Sequence, residues 1–132
     1  MNEAEVLIEY AKAWNNLDVS GLEGIISEDL QYRSQWVFDT MYGRETYLDY
    51  MRGKFRVIKN EIVNAHLTAE IGYFKYTYGE NNKPCIILTQ HLQQSENKTI
   101  LLIKVKNGRI SEIDMCGVPD LRWAIQLDLF PD

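Results

Sequence analysis

Apolar residues first recur along the chain at spacings of three and four: Leu7, Tyr10, Ala11, Trp14 and Leu17 line one face of a predicted first helix. Asp18 and Ser20 then offer N-caps, and the Ser20 to Glu23 spacing suits reciprocal capping, so a short second helix is expected with Leu22, Ile25 and Ile26 turned inward. From Leu30 to Phe38 the pattern changes to an aromatic-rich alternation, which predicts a strand carrying Tyr32 and Trp36 on one face. After Gly43 the stripe Tyr47, Met51, Phe55 and Ile58 lies opposite Arg44, Glu45, Asp49, Arg52 and Lys59, the signature of a third and longer amphipathic helix.

Beyond Asn60 the chain reads as β structure. Strands are predicted at Glu61 to Ala69, Cys85 to Gln93, Thr99 to Lys106 and Arg109 to Met115, while Tyr73 to Tyr78 suits either a strand or a loop. The breaks carry turn chemistry: Gly79 to Pro84 and Ser95 to Lys98 are polar, and Asn107-Gly108 is suited to a tight type I′ hairpin because both residues tolerate positive φ. The closing segment is expected to start a short helix at Pro119, with Leu121, Trp123 and Ile125 to bury against the chain's own sheet or a partner subunit.

Composition narrows the class. A chain of 132 residues with 45% apolar and 25% charged residues suits a single globular domain over residues 1–132, with one core. No apolar run is long enough to span a bilayer, and the acidic N-terminal stretch lacks the basic start of a secretory signal, so a cytoplasmic protein without membrane contact is expected. The net charge of −5 disfavours nucleic acid as a partner, and Arg52, Lys54, Arg56 and Lys59 read as a solvated helix face. Cys85 and Cys116 lack metal-ligand or C-x-x-C spacing, so no metal and no cofactor is predicted and both are read as reduced thiols.

Two stretches, EYAKAWNNLDVSGLEGIISEDLQY and YGRETYLDYMRGKF, together with the order of helices and strands, resemble the NTF2-like superfamily, which includes ketosteroid isomerases and SnoaL-type polyketide cyclases. Asn15, Asp18, Gly21, Glu28-Asp29 and Gly43-Arg44-Glu45 carry the resemblance, which extends over nearly the whole chain. It implies an α+β cone, with N-terminal helices packed on a curved, mostly antiparallel sheet around a ligand cavity, and a homodimer formed through the sheet. It also implies that Tyr10 stands where the isomerases place the tyrosine of their oxyanion site. Ser34 stands where they place the aspartate base, and no carboxylic acid stands at Thr99 to Leu101, where a second acid would belong. In the cyclase comparison Met115 takes the catalytic register and Asp114 is one residue away, which in a strand means the opposite face.

A cavity in such a cone would be walled by Tyr10, Trp14, Tyr32, Ser34, Trp36, Met51 and Phe55, a lining suited to a small apolar or planar ligand, unless these side chains simply fill the core. Tyr10, His91 and Asp114 are the candidates for acid–base chemistry. His91 and His66 have no neighbouring nucleophile and are read as structural or surface histidines, with His91 in the cavity as the alternative; Asp114 shares strand parity with Glu112 and is read as a solvated acid, with a pocket acid as the alternative. Two functions remain open: a small-molecule-binding domain with acid–base chemistry as one use of it, and a non-catalytic homodimeric interaction or scaffolding module.

Overall fold

The computed structural model describes residues 1–34, 37–60, 66–74, 83–92, 94–117 and 124–132. Within them, α1 (Glu3–Asn16), β1 (Ile26–Ser34), β2 (Val37–Tyr42), α2 (Arg44–Asn60), β3 (His66–Phe74), β4 (Lys83–His91), β5 (Glu96–Lys106), β6 (Arg109–Gly117) and β7 (Ala124–Leu129) follow one another. Both helices pack on a curved, unclosed sheet of seven strands in the order β2-β1-β6-β5-β4-β3-β7. All neighbours are antiparallel except β1 and β6, which run parallel. This is the α+β cone that the sequence predicts.

Helix α1 begins where the Asn2 side chain accepts the Glu5 N–H at 2.9 Å, with Glu3 and Glu5 placed against the positive end of the helix dipole. It ends at Leu17, whose positive φ of 52° turns the chain and returns the N–H groups of Leu17 and Asp18 to the Trp14 and Ala13 carbonyls. The short second helix does not form. Asp18 takes both the amide and the hydroxyl of Ser20, and residues 20–25 run as successive turns, with Leu22 N–H bonded to Val19 O and Ile25 N–H to Leu22 O. Gly21 and Gly24 weaken any helix there, and Ile26 is claimed by pairing with Ile110 on β6.

Consequently the first strand starts earlier than expected, at Ile26, and the expected Leu30 to Phe38 strand is divided between β1 and β2. Trp36 lies outside the described residues, as do residues 61–65 of the expected Glu61 to Ala69 strand. The described part of that strand continues to Phe74 as β3. The strands β4 and β5 likewise begin at Lys83 and Glu96, inside segments expected as loops. Asn107 and Gly108 join β5 to β6 with φ of 54° and 74°, the positive values that a type I′ turn needs.

The expected terminal helix from Pro119 falls mostly outside the described residues; of the residues named for it only Ile125 is described, and it lies in a strand. Residues 118–123 lie outside the described residues, and Ala124–Leu129 is an edge strand paired with β3. The buried Glu70 carboxylate accepts the Gln126 side-chain amide at 2.6 Å and the Asp128 backbone N–H at 3.2 Å, so the tail gains hydrogen bonds as a strand that a helix would withhold.

The helices lie over the face of the sheet that presents Tyr32, Ala69, Ile71, Ile86, Leu88, Leu101, Ile103, Ile113 and Met115, and these join Val6, Tyr10, Trp14, Tyr47, Met51 and Phe55 in one core. On the other face Cys85, Ile87 and Ile100 form a second, smaller buried cluster with Phe74 and Leu102 against it. Among the described residues no helix is long and apolar enough to cross a membrane.

Candidate functional site

Tyrosines from three elements meet where α1, α2 and β1 pack together. Tyr10 and Tyr47 share a 2.7 Å hydrogen bond between their phenolic oxygens. Tyr32 lies against Tyr47 and Tyr50, with ring centroids 5.1 and 5.6 Å away. Its hydroxyl donates weakly to Met115 Sδ at 3.7 Å, and Ser34 and Tyr50 are also within its reach. Helical geometry explains the convergence: Tyr47, Tyr50 and Lys54 are spaced three and four apart and share one face of α2.

Trp14 closes the cluster from α1. Its ring meets Phe55 edge to face, with centroids 5.1 Å apart. Among the described residues its buried Nε1–H has no hydrogen-bond partner. The indole approaches the Tyr10 phenol closely enough to favour the phenolate slightly, but without the geometry of a hydrogen bond. Lys54 Nζ lies 5.6 Å from the Trp14 ring centre and 5.5 Å from that of Tyr50, both cation–π distances, and makes a loose 3.5 Å contact with Tyr50 Oη.

Burial pushes the Tyr10 phenol up to about 12, against the hydrogen bond with Tyr47, and raises Tyr32 and Tyr47 well above the ordinary phenol value, where the neighbouring tyrosines add to the effect. Near neutral pH these groups are protonated hydrogen-bonding hydroxyls and not bases. Tyr10, Trp14, Tyr32, Met51 and Phe55 are all buried in the core; exposure rises only at Ser34, Tyr50 and Lys54, the half-buried margin of the cluster.

The other two acid–base candidates sit elsewhere. Arg33 and Asp114 pair across β1 and β6 while Ser34 pairs with Met115, so Met115 enters the core and Asp114 faces out. There Arg33 grips it with two bonds, Nε to Oδ1 at 2.6 Å and Nη2 to Oδ2 at 3.1 Å. His91 ends β4 beside His66, Thr68 Oγ1 at 3.1 Å from its Nε2, and Glu96 Oε1 at 3.3 Å from its Nδ1. Among the described residues no group of three His, Cys, Asp or Glu is placed to hold a metal ion. An open hollow on the surface, about 620 Å³, runs past Ser27, Asp29, Lys104, Lys106 and Arg109 and shares no residue with the aromatic cluster. Its walls are mixed, solvated charges, so size alone does not make it the chemical site.

No protein-family model matches the chain, and no curated protein does. Among solved structures it is similar to an NTF2-like protein from Cytophaga hutchinsonii at 14% identity, over 92% of this chain and 93% of that one, with a TM-score of 0.60. The chain has the NTF2-like fold. A steroid Δ-isomerase from Pseudomonas aeruginosa is similar at 18% identity, 88% and 79% coverage and a TM-score of 0.59. A de novo designed protein with a curved sheet is as similar in shape, at 14% identity, 92% coverage of both chains and a TM-score of 0.60. An NTF2-like backbone is therefore compatible with an enzyme and with a protein designed for its shape, and chemistry must be argued from side chains.

Within this NTF2-like chain, the cluster brings together Tyr10, Trp14, Tyr32 and Ser34 of the sequence candidates with Tyr47, Tyr50 and Lys54, which were not among them. The sequence places Tyr47 in the apolar stripe of its helix and Lys54 on a solvated basic face. Their shared spacing on α2 was the available signal.

Proposed function

We propose that residues 1–132 work as a single small-molecule-binding domain whose ligand has a planar apolar body and enters at the half-buried margin formed by Ser34, Tyr50 and Lys54. The observation that carries this reading is the buried Trp14 Nε1–H, without an acceptor among the described residues, beside a cluster of hydroxyls. An unsatisfied buried donor costs about 1–3 kcal/mol, and a ligand oxygen would relieve it. Of the acid–base candidates only Tyr10 belongs to the cluster, and as a protonated phenol it would polarise a ligand oxygen instead of removing a proton. The proposal keeps the domain in the cytoplasm, with its two free thiols reduced and no nucleic acid or membrane as partner.

The test is binding of a neutral planar dye, Nile red, by the protein and by Ser34→Trp, which fills the margin. Saturable binding that weakens about tenfold or more in the variant supports the proposal; absence of binding, or binding indifferent to the variant, refutes it.

A second reading is favoured by one observation. The apolar outer cluster of Cys85, Ile87 and Ile100 is already covered, but Leu127, Leu129 and Phe130 stand 43–46% exposed along the edge strand β7. A non-catalytic homodimer joined along that edge would cover them. Light scattering giving a monomer at high micromolar concentration removes this reading.

A further inference from the structure

The proposed site has an imbalance of donors and acceptors. Trp14 Nε1–H can only donate, and the Lys54 ammonium offers three donors and no acceptor. Around them stand the hydroxyls of Tyr10, Tyr32, Ser34, Tyr47 and Tyr50, each of which can donate as well as accept. Tyr10 and Tyr47 are occupied with one another, and Tyr32 reaches Met115 sulfur. Among the described residues no carboxylate pairs with Lys54, whereas two arginines of α2 are paired: Arg44 with Glu28 and Glu45, and Arg52 with Glu23 and Asp49. Arg56, directed elsewhere on the exposed face, takes no part in the cluster.

Lys54 is thus a cation laid over the Trp14 and Tyr50 rings, within 5.6 Å of both ring centres, and lacking a carboxylate partner. A group that completes the site must bring acceptor oxygens, and negative charge suits it best because among the described residues no carboxylate lies within ion-pair distance of the Lys54 ammonium. The aromatic rings beneath demand an apolar, flat body behind that oxygen.

Building on the small-molecule reading above, we infer that the ligand is a planar organic anion, an aromatic carboxylate in its simplest form, with its charged oxygens on Lys54 Nζ and Tyr50 Oη and its ring against the aromatic side chains of the margin. A purely packing role for Lys54, whose stem covers the Trp14 ring, predicts no preference for charge.

The experiment titrates naphthalene carboxylate and its neutral carboxamide into the protein and into Lys54→Met, by calorimetry. Methionine keeps an apolar stem over Trp14 while removing the charge, and circular dichroism and thermal unfolding check that the variant folds. The expected result is affinity for the carboxylate about tenfold or more above that for the carboxamide, with the preference lost in Lys54→Met. Equal affinity of the unmodified protein for both probes overturns the anion inference and leaves the small-molecule reading standing. A carboxylate preference that persists in folded Lys54→Met assigns the charge recognition elsewhere and also overturns it. Binding of neither probe overturns the inference, and the dye titration with Ser34→Trp then decides the broader reading separately. If Lys54→Met does not fold, Lys54→Gln with the same pair of probes gives the same discrimination.

Discussion

The side-chain amide of Asn15 pairs with both backbone groups of Ala69: its Oδ1 accepts the Ala69 N–H at 2.7 Å and its Nδ2 donates to the Ala69 carbonyl at 2.9 Å. The same Nδ2 also donates to the Pro131 carbonyl. One side chain therefore fastens α1 to β3 and holds the end of the tail beside it. Because Ala69 is fully buried, water cannot replace these bonds.

Asn15→Ala is expected to destabilise the fold by about 2–3 kcal/mol, since buried backbone groups lose their partner. Asn15→Asp keeps an acceptor for the Ala69 N–H but sets a carboxylate against two carbonyl oxygens, so it too should lose stability. Denaturant unfolding checks both, and a change below about 0.5 kcal/mol in the alanine variant would show that the bonds contribute little.

The Tyr10–Tyr47 pair makes a pH prediction. Burial raises the Tyr10 value from 10.0 to about 12, so the unfolded chain gives up this proton first as pH rises. The neutral phenol's contribution to stability is complete below pH 10 and is lost as pH climbs through about 12, the direction proton linkage requires. A spectrophotometric alkaline titration should show Tyr10, Tyr32 and Tyr47 ionising only with unfolding, whereas a smooth titration of all eight tyrosines before any loss of structure would contradict this.

Asp114→Asn should cost less than about 1 kcal/mol, because the Arg33–Asp114 pair is more than a third exposed and screened by solvent. It should also leave Nile red affinity unchanged. A large loss of dye binding would place Asp114 in the site.

Glu70→Ala should loosen the tail. The variant removes the acceptor of the Gln126 amide and the Asp128 N–H, so amide exchange across Ala124–Leu129 should rise several-fold while α1 and β5 keep their protection. Unchanged exchange in β7 would mean that its backbone pairing with β3 holds it without Glu70.

Ketosteroid isomerisation is expected to be absent. Ser34 offers no carboxylate, and the Tyr10 hydroxyl is already bonded to Tyr47 inside the core. A general base contributes roughly 10²- to 10⁴-fold, which serine does not supply alone. Turnover of a β,γ-unsaturated ketosteroid by the unmodified protein would overturn this, and Ser34→Asp is the companion variant.

Local pattern alone determined a great deal of this protein. The three-and-four spacing of Leu7, Tyr10 and Trp14, and of Tyr47, Met51 and Phe55, specifies both long helices and their buried faces, since a helix with an apolar stripe must bury it. The positive φ demanded at Asn107-Gly108 likewise placed the β5–β6 hairpin. Strand parity already put Asp114 opposite Met115.

Tertiary structure decided what depends on partners distant in the chain. Whether Ile26 ends a short helix or begins a strand depends on Ile110, and the place of residues 124–129 as an edge strand depends on Glu70 and the free edge of β3. The site follows the same rule: Lys54 looks like one more solvated cation until the α2 face that carries it is packed over Trp14. Periodicity records how much of each segment is buried, but not against which residue, because a contact between α1 and α2 or across seven strands leaves no mark in the spacing of either partner.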